Sequence, residues 1–88
     1  MSVIYIPNWM LVLHGFANHE IAHTISHKNN LTISHVLKIK KKLVLLGLIK
    51  FKEKVGRSKK YILTNKGVKI YNSFKDFINV YSEIHEKI

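Results

Sequence analysis

Between Thr32 and Ile49 the chain reads TISHVLKIKKKLVLLGLI, and few folds accommodate such a stretch. At about 100° per residue, Ser34 stands at the centre of one helical face with Lys38 and Lys41 beside it. Val36, Ile39, Leu43 and Leu46 gather on the opposite face. Gly47 should end this helix, because glycine enters the left-handed conformation without a Cβ penalty, and Leu48-Ile49 then starts an extended run. The apolar face has to dock on a core, which turns the cationic face outward. A helix so mounted has the form needed to read a major groove.

The other segments read as support for that helix. Pro7-Asn8 opens a first helix running to Gly15, after a short β-branched run from Val3 to Ile6. It is apolar nearly all round, so it is either buried centrally or shared with a second subunit, and Trp9 and Phe16 are expected in the core. A second helix is expected at about His19 to His27, capped by Asn18, with Ile21, Ala22 and Ile25 inward. The polar turn His27-Lys28-Asn29-Asn30-Leu31 follows, and Thr32 can cap the basic helix through its hydroxyl. Helix, turn, basic helix is the resulting order.

Beyond Gly47, Ile49 and Phe51 alternate with Lys50, Lys52 and Lys54, the period of a half-buried strand. Val55-Gly56-Arg57-Ser58 supplies a turn, and Lys59 to Thr64 returns as the second strand of a hairpin. Its tip carries Lys54, Arg57, Ser58, Lys59 and Lys60, which serve either as a solvated edge protected against aggregation or as a second cationic surface beside the helix. Thr64 to Gly67 is another cap-and-turn signal. The last helix, from about Val68, spaces Ile70, Phe74, Phe77, Tyr81, Ile84 and Ile88 as heptads. That stripe has to bury against its own domain or a second copy, and its length favours a dimer completed by Val12, Leu13 and Phe16.

The chain has 88 residues, enough for one small domain but little room for a catalytic cleft. No apolar run approaches a membrane span, there is no cysteine, and the start MSVIYIPNWM lacks the pattern of a secretory signal, so a cytoplasmic location is expected. A net charge of +10 against five acidic residues points to a polyanionic partner. Lysine-rich usage with Arg57 as the only arginine also fits a plain coding bias, but the lysines are clustered, which favours nucleic acid. No basic helix shows an exposed aromatic face, so a membrane surface is not the expected partner.

His19-Glu20-Ile21-Ala22-His23 matches HExxH, in which two histidines one helical turn apart bind zinc and the glutamate activates water. With six histidines such a match arises easily by chance, no third ligand is evident beyond His27 on the same helix, and the chain is short for a cleft. A zinc-dependent hydrolase is therefore a remote alternative, and a non-catalytic metal held by His19, His23 and His27, spaced by four on one face, is a somewhat nearer one. A polar face near a phosphate backbone is the plainer reading of His19, His23 and His27, and protonation there should strengthen polyanion binding.

Taken in order, Glu20-Ile21-Ala22, Leu43 followed by Gly47-Leu48-Ile49, and Tyr61-x-Leu63-Thr64-x-x-Gly67 resemble the winged helix-turn-helix regulators of the MarR and PadR type. The resemblance implies an α+β fold with a three-helix core, a two-stranded hairpin wing and a C-terminal dimerisation helix, divided here as residues 1–66 and 67–88. It implies a homodimer that binds double-stranded DNA, with the basic helix in the major groove and the wing on the minor groove or backbone. Thr32, Ser34, His35, Lys38, Lys41 and Lys42 fall at the helix positions, and Arg57 with Lys59 at the wing tip. Lysines would hold phosphates, leaving base readout to Ser34, His35, Asn30 or Thr32, and Arg57 is expected to carry more selectivity than Lys59. The chain lacks the longer terminal helices that form effector pockets in many such regulators, so no small-molecule ligand is expected; beside the remote histidine readings no motif calls for a cofactor, metal or catalytic residue, and none is expected. A winged helix serving plasmid partition, replication or DNA architecture is the alternative use of the same surface.

Overall fold

The computed structural model describes residues 6–87, with side chains described as far as Tyr81; the expected run from Val3 to Ile6 thus lies mostly outside the described residues. Its elements in order are α1 (Asn8–Ala17), α2 (Ala22–Lys28), α3 (Ile33–Leu45), β1 (Ile49–Val55), β2 (Ser58–Leu63) and α4 (Asn65–Lys87). None of the described helices is long and apolar enough to cross a membrane.

α1 is the hub. It packs against α2, α3, α4 and β2, which is where an almost wholly apolar helix can hide its surface. Val12, Leu13 and Phe16 are buried and meet Ile25 of α2, Val36, Ile39 and Leu43 of α3, Leu48 and Ile49 at the root of the hairpin, and Phe74 and Ile78 of α4 in one core. Gly15 lies inside α1 rather than at its end. A Cβ there would stand 2.4 Å from Ile25 Cγ1, so the glycine is what lets α2 lie close. Trp9, expected in the core, is partly exposed, with its ring edge-on to Phe74 at 5.8 Å.

The first three helices end in the same way. At each C-terminus the first residue past the cap is left-handed, and the next two backbone N–H groups return to the last turn as a Schellman motif. For α1 the residue is His19 (φ 62°), with His19 N donating to Phe16 O (3.1 Å) and Glu20 N to Gly15 O (3.0 Å). For α2 it is Asn30 (φ 54°), with Leu31 N donating to Ser26 O (3.0 Å). For α3 it is Gly47 (φ 75°), with Leu48 N donating to Leu43 O (2.9 Å). Asn18 therefore caps the C-terminus of α1 rather than opening α2, whose N-cap is Ile21 with no side-chain hydrogen bond.

β1 and β2 pair antiparallel, with Ile49 opposite Leu63 and Phe51 opposite Tyr61. Between Phe51 and Glu53 the register slips by one residue, so Lys52 is an added residue in a β-bulge. The hairpin overhangs the core. Only Ile49 of β1 is buried and Phe51 is 53% exposed, contrary to the alternation expected from sequence. Across the tip, Gly56 takes a positive φ of 61° and Arg57 does not, the pattern of a two-residue type II′ turn.

α4 starts hard against the hairpin root, where a Cβ at Gly67 would lie 1.9 Å from the carbonyl oxygen of Leu48. Among its described side chains Phe74 and Ile78 are buried, with Ile70, Tyr71 and Tyr81 partly buried against the same core. The expected heptad stripe is thus divided. Phe74 is buried within its own chain, Ile70 and Tyr81 lean on that core, Phe77 is 49% exposed beside Val80 at 54%, and the side chains of Ile84 and Ile88 lie outside those described.

Candidate nucleic-acid interface

α3 begins where Thr32 Oγ1 accepts from His35 N (3.1 Å), the N-cap expected from sequence, and docks through Val36, Ile39 and Leu43. Leu46 does not join that face. The helix stops at Leu45, so Leu46 becomes the cap residue and is 59% exposed. Ser34, Lys38 and Lys41 form the outward line, all exposed, and Lys42 is exposed beside them. His35 is exposed but tethered, for Asn8 Nδ2 donates to its Nε2 at 3.2 Å.

The hairpin adds a second cationic surface. Lys54 and Lys59 stand directly opposite one another beside the turn that carries Arg57, and all three are exposed. Like charges opposed across a hairpin destabilise it, and an anion lying against both would relieve that repulsion. Ser58 and Lys60 are half-buried, and Lys60 faces Glu53 in the register. From Lys28 to Lys60 the chain holds eleven of its fifteen cations (Lys28, 38, 40, 41, 42, 50, 52, 54, 59, 60 and Arg57) against Glu53 alone. The positive charge therefore lies mostly on α3 and the hairpin.

The wing tip and α3 meet across a cleft of about 330 Å³ lined by Ile33, Leu37 and Lys40 of α3, Arg57 and Lys59 of the wing, and His23 of α2, among others. Lys40 Nζ lies 5.0 Å from the centre of the Tyr61 ring, a cation–π contact that ties the helix to β2. Leu37 and Lys40 are not among the residues that sequence reasoning selects for this surface. The signal is present, since Ile33, Leu37, Lys40 and Val44 follow one another at helical spacing on the flank of α3 next to its buried face.

No family model and no curated protein matches the sequence. Solved structures do match the fold. A doubly substituted ZitR from Lactococcus lactis in its apo form superimposes with a TM-score of 0.70 at 23% identity, over 92% of this chain and 67% of its own. AF1382 from Archaeoglobus fulgidus gives 0.72 at 24% identity over 89% of this chain and 91% of that one. The adhesin competence repressor AdcR from Streptococcus pyogenes gives 0.72 at 17% identity over 94% and 67%. The chain has the winged helix-turn-helix fold. It spans about two thirds of the length of ZitR and AdcR and nearly all of AF1382.

Within the winged helix the HExxH stretch loses its meaning. His19 and Glu20 precede α2, and His19 is the left-handed residue that reverses the chain after α1, so His19 and His23 are not stacked one turn apart on a helix. Glu20 is instead paired with Lys28, and its backbone N–H closes the end of α1. His23 and His27 remain exposed on α2, and among the described residues no three histidine or acidic side chains converge as a metal site. A fourth histidine is used structurally. Asn18 Nδ2 donates to His14 Nε2 (3.1 Å), which puts the ring proton on Nδ1, facing the Tyr71 hydroxyl at 2.8 Å. Burial holds His14 below the usual histidine range, against the opposing pull of the Glu20 carboxylate and with a smaller push from Lys28; burial likewise raises the Tyr71 phenol.

Proposed function

We propose that this winged helix binds double-stranded DNA sequence-selectively and acts in the cytoplasm as a homodimeric transcriptional regulator of the MarR or PadR type. The observation that carries the reading is the confinement of most of the positive charge to α3 and the hairpin tip, which flank one cleft. A helix about 10–12 Å wide fits a major groove, and a wing beside it falls on the adjacent backbone or minor groove. Lys38, Lys41, Lys42, Lys54, Arg57 and Lys59 then neutralise phosphates, while Thr32, Ser34 and His35 lie nearest base edges. That AdcR is described as a repressor supports regulation over partition or architecture as the use of this surface. Phe77 and Val80, exposed on the helix that leaves the core, supply the apolar strip for a second copy.

The test is fluorescence-anisotropy titration of the full chain against the duplex upstream of its own gene and a scrambled duplex, at two salt concentrations. Preference for the upstream duplex with steep salt dependence is expected. Equal binding to both would assign the surface to an architectural role, and no binding at low salt would refute DNA as the partner.

A further inference from the structure

The apolar side chains on the outer half of α3 have no part in anchoring phosphates. Leu37 is 39% exposed, lies three residues after Ser34 and four before Lys41, and lines the cleft opposite Arg57. The polar groups around it are poor base readers. His35 is held by Asn8, the Thr32 hydroxyl is engaged as the cap of α3, and the lysines are point charges with little base preference. Ser34 is left as the one uncommitted hydroxyl on this face.

In the major groove the one apolar group a base edge presents is the C5-methyl of thymine. We infer that Leu37 is a specificity-determining residue that packs on a thymine methyl, so that binding favours thymine at one position in each half-site. The inference rests on the DNA-binding reading above. Leu45 is more exposed, at 85%, but it is the last residue of α3 and lies about 12 Å along the axis from Leu37. Recognition helices meet base edges mainly with their N-terminal residues, which favours Leu37. The cations nearby, Lys38, Lys41 and Arg57, hold the backbone on either side of the groove and bring the methyl within reach.

The experiment begins by selecting duplexes from a random-sequence pool for binding to the full chain. Each thymine of the selected duplex is then replaced in turn by deoxyuridine, which lacks only the methyl group. Affinities are measured for the wild type, Leu37→Ala, Leu37→Met and Leu45→Ala. The wild type should bind about fourfold more weakly at one thymine per half-site, the effect of exposing one buried methyl. Leu37→Ala should be indifferent to that replacement, while Leu37→Met and Leu45→Ala should keep the effect. A wild type indifferent to every uracil overturns the assignment without any variant having to fold, as does a Leu37→Ala protein that keeps the full effect or a Leu45→Ala protein that loses it. A pool from which no sequence is enriched refutes selective DNA binding itself, and the assignment falls with it.

Discussion

Replacing Gly67 by alanine is the sharpest test of how the wing is held. A Cβ at this position would stand 1.9 Å from Leu48 O, and such contacts below 3.0 Å are essentially never seen, so α4 and the hairpin root must part by at least 1.1 Å (3.0 − 1.9). The obstacle is backbone on both sides and cannot rotate away. That joint also contains Thr64 N donating to Leu48 O (3.0 Å), Thr64 Oγ1 to Gly47 O (2.5 Å) and Gly67 N to Thr64 Oγ1 (3.1 Å). Separation on the order of 1 Å breaks or weakens the bonds to Leu48 O and Gly47 O, at about 1 kcal/mol each, and loosens buried Leu48 and Ile49 by a similar amount. Alanine returns at most about 1 kcal/mol through helix propensity. The net loss is about 2–3 kcal/mol, which for a domain of this size lowers Tm by roughly 10–20 °C. Gly47→Ala is the comparison, because there the φ of 75° is strained but no atom lies within 4 Å, and the cost is about 1–2 kcal/mol. Thermal unfolding followed by circular dichroism decides between them. A Gly67→Ala protein that melts at or above the wild-type temperature would show that the close approach is absent and refute the account of the joint.

Three further outcomes are expected. Lys38→Ala with Lys41→Ala should flatten the slope of log K against log salt by about 1.8, or 0.9 for each phosphate no longer neutralised, in anisotropy titrations; an unchanged slope would place both lysines away from the backbone. His14 has a folded pKa below its unfolded value, so the unfolded chain takes up more protons, and stability is lost as pH falls through about 6.5 toward the folded value. Urea unfolding of His14→Gln should accordingly depend less on pH between about 7.5 and 5.5 than the wild type does, and parallel pH profiles would exclude His14 as the source. Phe77→Ser with Val80→Ser should convert a dimer to a monomer in sedimentation velocity with little loss of helix, whereas an unchanged sedimentation coefficient would move the interface elsewhere.

α3 is legible in the sequence because its signals are local and agree. Thr32 caps, Val36, Ile39 and Leu43 bury, and Gly47 takes the left-handed turn, each as its residue type prefers. The start of α2 is not, because the turn before it rests on His19, a residue that enters the left-handed region without advertising it as glycine does. The backbone bonds of a Schellman motif leave no mark of their own in the sequence. Phe51 reads as buried because alternation reports the period of a strand but not how far the strand outruns the core. In α4, Ile70, Phe74 and Tyr81 satisfy a heptad, yet Gly67, Tyr71 and Ile78 satisfy a second stripe rotated from the first, and docking on α1 selects a face between the two.

The interface divides along the same line. Its charge is readable, since lysines concentrated on one helix and one hairpin stay at or near the surface however the chain folds. Its discriminating groups are not, because whether a side chain can reach a base depends on what else holds it. His35 reads as a base contact in the sequence, yet Asn8, 27 residues earlier, engages its ring. Leu37 draws no assignment from the sequence, yet the hairpin, pinned at its root by Gly67, leaves it uncovered on the rim of the cleft. Long-range packing thus ties a polar side chain and leaves an apolar one exposed on the same turn of the helix. If the proposed DNA binding holds, a protein whose cations are almost all lysine would draw its selectivity more from methyl groups and groove shape than from hydrogen-bonded base edges.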